Sequence, residues 1–240
     1  MLTSNAHGSS PMSALRFPLV LLPGMNCTTD IWSGCGLEGA IAPNLEERTI
    51  DRQVDALLDT LPDRFALAGL SLGAIVSMAL VRKAPERVAQ LCLIATNSKE
   101  PTEAQQAGWR IWKDRLAAGE SAENLQAEIL DILISAPAKL RDPKLADRVL
   151  RMGADTGSER LDAQLAMQGT RTDESMTLSR LNIPVLIVSG AYDVICPPQF
   201  HRDIATAIPS AELEYCKAGH LSTMERPAEV GRLLRSWLAK

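Results

Sequence analysis

Phe65-Ala66-Leu67-Ala68-Gly69-Leu70-Ser71-Leu72-Gly73-Ala74 is the stretch whose reading decides the fold. Phe65 to Ala68 form a short apolar run, bounded by Pro62-Asp63 before it and a glycine after it, and read as a buried strand. After Gly73 neither proline nor glycine interrupts the chain as far as Arg82, and Ala74, Ile75, Met78 and Ala79 recur at helical spacing. Gly-x-Ser-x-Gly thus falls on a sharp turn between strand and helix. Such a turn strains the backbone of Ser71 and exposes its hydroxyl, while Gly69 and Gly73 leave room where a Cβ would clash.

The same alternation extends in both directions. Pro18 to Leu22 read as a strand that ends in the turn Pro23-Gly24-Met25-Asn26, and Ala40 to Pro43 as a short second strand. Asp51 to Leu61 place Val54, Leu57, Leu58 and Leu61 on one helical face. Val88 to Thr96, Pro184 to Ser189 and Ala211 to Cys216 are further strands, and helices are expected around Pro198 to Ile208 and from Met224 to Ala239. Continuous apolar strands separated by helices predict an α/β fold: a mostly parallel sheet of about six strands, covered on both faces. Between Asn97 and Asn182 no strand pattern occurs. Helices are expected there over Thr102–Ala118, Ala122–Ile134, Pro143–Met152 and Glu159–Gln168. The predicted organisation is a disordered tail (1–16, with His7), a core (17–97 and 176–240) and an inserted all-helical cap (98–175).

Composition narrows the function. Apolar residues make up 46% of the 240, enough for a substantial core. A net charge of −4 and the lack of a dense basic run argue against nucleic-acid binding. No stretch is long and apolar enough to span a bilayer, so no membrane association is expected. Five scattered cysteines (27, 35, 92, 196 and 216), with no basic start or apolar stretch in Met1 to Ser13, read as reduced, buried thiols of a cytoplasmic protein.

A serine hydroxyl is a poor nucleophile until a base takes its proton, and an imidazole base needs a carboxylate to fix its tautomer and steady its charge. His220, in Ala218-Gly219-His220-Leu221, follows the last strand. Asp193, in Gly190-Ala191-Tyr192-Asp193, follows the strand before it. Both loops leave the sheet at the edge where Ser71 emerges, so the three side chains can converge. His201 lies within a helix and is expected to pack or be solvated. Glu100 is a reserve acid. Glu225 is assigned to a capping box, Ser222-Thr223-Met224-Glu225, opening the last helix. Acyl transfer also needs donors for the developing oxyanion. The N–H of Leu72, directly after the serine, is one, and the turn after the first strand points to the N–H of Met25 as the other.

Gly69-Leu70-Ser71-Leu72-Gly73, the Gly190–Pro198 loop with Asp193, and Gly219-His220 with Glu225-Arg226-Pro227 resemble the α/β-hydrolase superfamily, in its small, capped, esterase-like branch. The resemblance runs from Phe17 to Lys240 and includes the chain order serine, acid, histidine. It implies a three-layer α/β-hydrolase fold and hydrolysis of a carboxylic ester through an acyl-enzyme, with no metal or organic cofactor. Two features depart from the family pattern. Pro23-Gly24 stands where His-Gly is usual, and the chain starts at what corresponds to the family's third strand. A serine nucleophile also separates it from the dehalogenase and epoxide-hydrolase branches, which attack with aspartate.

The cap is expected to set the substrate. Trp109, Trp112 and Leu116 share a helical face, and Met152, Met167 and Met176 add flexible apolar surface; Trp109, Trp112, Met152 and Met167 are the candidate pocket residues. An apolar pocket mouth favours a small, mainly hydrophobic ester over a charged one. The expected partner is that small molecule alone, with the protein a monomer or homodimer. The same machinery serves lactonases, thioesterases, carbon–carbon bond hydrolases and aminopeptidases. A different class, a slow-turnover ligand-binding receptor or scaffold, is separated from these by whether Ser71 both labels and turns over.

Overall fold

The computed structural model describes residues 16–240, so the expected tail, His7 included, lies outside the described residues except for Arg16. Five strands, β1 (Leu19–Leu22), β2 (Phe65–Leu70), β3 (Val88–Ile94), β4 (Val185–Gly190) and β5 (Ala211–Cys216), form one sheet in chain order, every pair parallel. Every residue of β1 to β4 is buried, as strands covered on both faces require. The expected strand at Ala40–Pro43 does not form. Only Ile41 pairs, in an isolated bridge with Val20, where its N–H donates to Leu19 O (2.8 Å) and its carbonyl accepts from Leu21 N (2.9 Å). Gly39, at φ +91°, turns the chain into this contact, and Pro43, which lacks an N–H, ends it.

The helices of the core are α1 (Ile50–Thr60) and α2 (Leu72–Lys83). Six more follow between β3 and β4: α3 (Glu103–Ala117), α4 (Ala122–Glu128), α5 (Leu130–Leu133), α6 (Ala136–Arg141), α7 (Leu145–Gln168) and α8 (Ser175–Leu178). The chain closes with α9 (Pro198–Ala207), α10 (Ser222–Glu225) and α11 (Pro227–Leu238). Two helices expected separately are joined in α7 across Gly157, whose φ of +75° marks a kink.

Alternate strand residues feed two cores, the period of two that a sheet buried on both sides imposes. Leu19, Leu21, Ala68, Cys92 and Ile94 pack with Ile31 and with Val230, Leu234 and Trp237 of α11. Val20, Leu22, Leu67, Leu91 and Leu93 pack with Val54 and Leu57 of α1 and with α2. A third, smaller cluster lies within the insertion, where Leu116, Leu125, Leu161 and Leu165 meet Met25, Trp109 and Trp112. All five cysteines are free and buried. No helix among the described residues is long and apolar enough to cross a membrane.

Candidate active site

Ser71 joins β2 to α2 with φ +54°, a conformation that L-residues avoid unless the surroundings impose it. The flanking glycines explain how the chain tolerates it. A Cβ on Gly69 would sit 2.4 Å from the Gly73 carbonyl, and one on Gly73 would sit 2.3 Å from Leu22 O in β1. Only hydrogen fits at either position, so the turn can tuck against the sheet and lift the serine side chain out of it.

The two loops that follow β4 and β5 are laced together. Ala191 N donates to Cys216 O (2.8 Å) and Tyr192 N to Ala218 O (2.9 Å). Within the first loop, Asp193 Oδ1 accepts from the N–H groups of Ile195 and Cys196, both at 2.9 Å, which pins the carboxylate. Its other oxygen lies 2.9 Å from His220 Nδ1, and His220 Nε2 lies 3.0 Å from Ser71 Oγ. Asp193 and His220 are buried, whereas Ser71 is half-buried and lines a cavity of about 360 Å³. Residues 71, 193 and 220, far apart in the chain, thus form one hydrogen-bonded series that ends at the cavity wall.

Gly24 packs on the serine: a Cβ there would lie 3.6 Å from Ser71 Cβ. The N–H groups of Met25 and Leu72, the two expected oxyanion donors, have no hydrogen-bond acceptor among the described residues. Asn26, which the sequence did not flag, holds this turn. At φ +55° it occupies a left-handed conformation that asparagine tolerates. Its N–H donates to Gln164 Oε1 (2.8 Å), and its Nδ2 donates to Ala122 O and Gln126 Oε1, both at 2.9 Å.

One side chain, Glu225, differs from its expected role, and for His201 one of the two expected alternatives holds. Glu225 makes no capping box, because α10 has no side-chain cap and the last helix starts afresh at Pro227. Its buried carboxylate instead accepts from Ser135 N (2.9 Å), Ser135 Oγ (2.5 Å) and Gly219 N (2.9 Å), joining the insertion to the residue before His220. Partners ninety residues away outcompete the local pattern. His201 is packed, not solvated: it is fully buried, and its Nε2 accepts from Thr96 N at 3.0 Å. Burial pushes its pKa down to about 4, which keeps the imidazole neutral beside the site. Glu100 is exposed, and the carboxylate that reaches His220 is that of Asp193.

Trp109 and Trp112 line the cavity, but Met152 and Met167 do not. Met152 packs in the core on the α11 side of the sheet and Met167 in the core on the α1 side. Both anchor the insertion, a use that suits a flexible, gap-filling side chain. An apolar stripe at helical spacing does not reveal which of two apolar surroundings it will meet. Beside Trp109 the lining is more polar than expected, with Gln105, Gln168 and Arg171. Among the described residues, Asp193, Cys196 and His220 are the one group whose potential metal-ligand atoms lie within 4.8 Å of one another. The carboxylate and imidazole are already committed to each other, and burial raises the Cys196 pKa, so the thiol holds its proton.

The profile of the α/β hydrolase fold family matches residues 21–227. The chain is 28% identical, over 91% of its length and 97% of the relative's, to a pimeloyl-[acyl-carrier protein] methyl ester esterase of Aromatoleum aromaticum. It is 29% identical to a putative carbamate hydrolase of Pseudomonas syringae, over 86% of this chain and 81% of that one. Among solved structures, a thermophilic esterase from Thermogutta terrifontis superposes with a TM-score of 0.87 at 24% identity, covering 94% of this chain and 90% of its own.

Proposed function

The chain belongs to the α/β-hydrolase family, and we propose that within it the protein is a serine hydrolase that cleaves a small carboxylic ester. The reading is carried by the unbroken series Asp193–His220–Ser71, ending at a cavity beside two uncommitted amides. The esterase among its relatives supports the same substrate class.

His220 Nε2 takes the Ser71 proton as Oγ attacks the ester carbonyl, and Asp193 holds Nδ1–H and stabilises the imidazolium that forms. The N–H groups of Met25 and Leu72 meet the negative charge developing on the carbonyl oxygen. His220 then gives its proton to the departing alkoxide, leaving an acyl group on Ser71. Water, deprotonated by the same imidazole, attacks the acyl carbon and releases the acid and the free serine.

A fluorophosphonate probe together with p-nitrophenyl ester turnover tests the proposal. Covalent labelling at Ser71 and steady-state hydrolysis, both absent from Ser71→Ala, are expected. Labelling without turnover would make the protein a receptor, and loss of both would make it a scaffold.

A further inference from the structure

Arg171 is 7% exposed, yet no carboxylate among the described residues lies within ion-pairing distance of it. A buried guanidinium is ordinarily paired, because removing a full charge from water is costly without a counter-charge. Its protein contacts are neutral. One terminal nitrogen donates to Gln105 Oε1 (2.9 Å), the other to Gln168 Oε1 (3.3 Å), and the group lies 5.5 Å from the Trp109 ring centroid. Its buried Nε–H has no partner among the described residues. Of the five N–H donors a guanidinium carries, most are therefore still free.

Position makes this significant. Arg171, both glutamines and Trp109 line the same cavity as Ser71 and His220. Two side-chain amides and an aromatic face hold the cation in place without neutralising it, leaving the second hydrogens of its terminal nitrogens for whatever fills the cavity. Burial lowers its pKa, the direction for a cation taken out of water, though a guanidinium stays charged at neutral pH.

We propose that the cavity takes an ester whose acyl chain ends in a carboxylate, a dicarboxylic acid hemi-ester or its lactone equivalent, with that carboxylate on Arg171 and the ester carbonyl at Ser71. This rests on the ester-hydrolase reading above and refines it. The apolar wall formed by Leu70, Trp112 and Leu133 receives the methylene chain between the two ends. An apolar chain with an anionic end replaces the small, mainly hydrophobic ester expected from the sequence.

The test compares p-nitrophenyl hemi-esters of succinate, glutarate, adipate and suberate with the same compounds methylated at the free acid. For the best chain length, the hemi-ester should exceed its neutral counterpart in kcat/KM by roughly tenfold to a hundredfold, the range of one charge-assisted hydrogen-bonded contact. The readout is the ratio of the two substrates within each variant: Arg171→Met should abolish that preference by losing kcat/KM on the hemi-ester, and Arg171→Lys should keep part of it. An equal or better neutral substrate in the wild type, or a preference that survives Arg171→Met, overturns the proposal and leaves Arg171 a clamp between α3 and α7.

Binding separates this from failure of the hydrolase reading. Ser71→Ala should bind monomethyl adipate or glutarate by calorimetry more tightly than the dimethyl esters, and Ser71→Ala/Arg171→Met should not. Should no ester be hydrolysed, that contrast still supports the anion site, and its absence overturns it.

Discussion

Gly190 at the end of β4 and Gly219 in the loop after β5 are in contact along their backbones: a Cβ on Gly190 would stand 2.3 Å from the Gly219 carbonyl oxygen. Asp193 and His220 each lie within three residues of this contact. Gly190→Ala must therefore push the two loops apart. Overpacking of this kind costs about 1–3 kcal/mol, and the larger effect is expected on kcat, as the Asp193–His220 bond lengthens. Thermal melts and ester kinetics on one preparation measure both.

Replacing Asp193 by Asn should leave the loop folded, since an amide oxygen can still accept from Ile195 and Cys196 N–H. The tautomer of His220 is no longer fixed by a carboxylate, and the imidazolium loses its counter-charge. A fall in kcat of roughly four orders of magnitude is expected for such a change. A Tm near that of the wild type would show that the loss lies in chemistry.

Ser71→Ala should remove turnover by several orders of magnitude and leave the sheet undisturbed, because glycines on either side, not the serine side chain, permit the turn. Circular dichroism and residual p-nitrophenyl ester hydrolysis check the two halves of this expectation.

Much of this was legible in the sequence and some was not. Ser71, Asp193 and His220 are readable because each follows a strand, apolar for the first two and alternating for the third, and strands of a parallel sheet deliver their loops to one edge. Ile41 shows a limit of local pattern: a bridge of one residue looks in sequence like a strand of four. Asn26, Glu225 and Arg171 are invisible for a different reason. Their partners are 138, 90 and 66 residues away (Gln164, Ser135 and Gln105), and no local periodicity encodes such pairs. Residues that shape the site through distant hydrogen bonds appear only once the chain is folded.

His201 gives a pH signature. Burial holds its pKa at about 4 in the folded protein against an ordinary 6.5, so between these limits the unfolded chain binds a proton that the folded one refuses. Stability is therefore fully present above pH 6.5 and declines as pH falls toward 4, by at most about 3 kcal/mol. Urea denaturation across this range should show the decline, and His201→Gln should flatten it.

Asn26→Gly separates anchoring from backbone strain, since glycine accepts the φ of +55° without penalty. Losing the two Nδ2 bonds should lower stability by about 2–3 kcal/mol. It should also depress kcat more than fluorophosphonate labelling, because Met25 N–H is freed to wander while Ser71 and His220 stay aligned. Equal loss of both would contradict a role confined to that amide.

The bonds from Asn26 to Gln126 and Gln164 also bear on engineering. Enzyme chimeras are often built by treating such an insertion as an exchangeable module that sets substrate range while the chassis supplies the reaction. Here the chassis takes part of its alignment from the module, because the turn bearing Met25 is tethered to α4 and α7. A transplant that omits Gln126 and Gln164 should slow every substrate alike, and grafting those two glutamines into the incoming segment is the remedy.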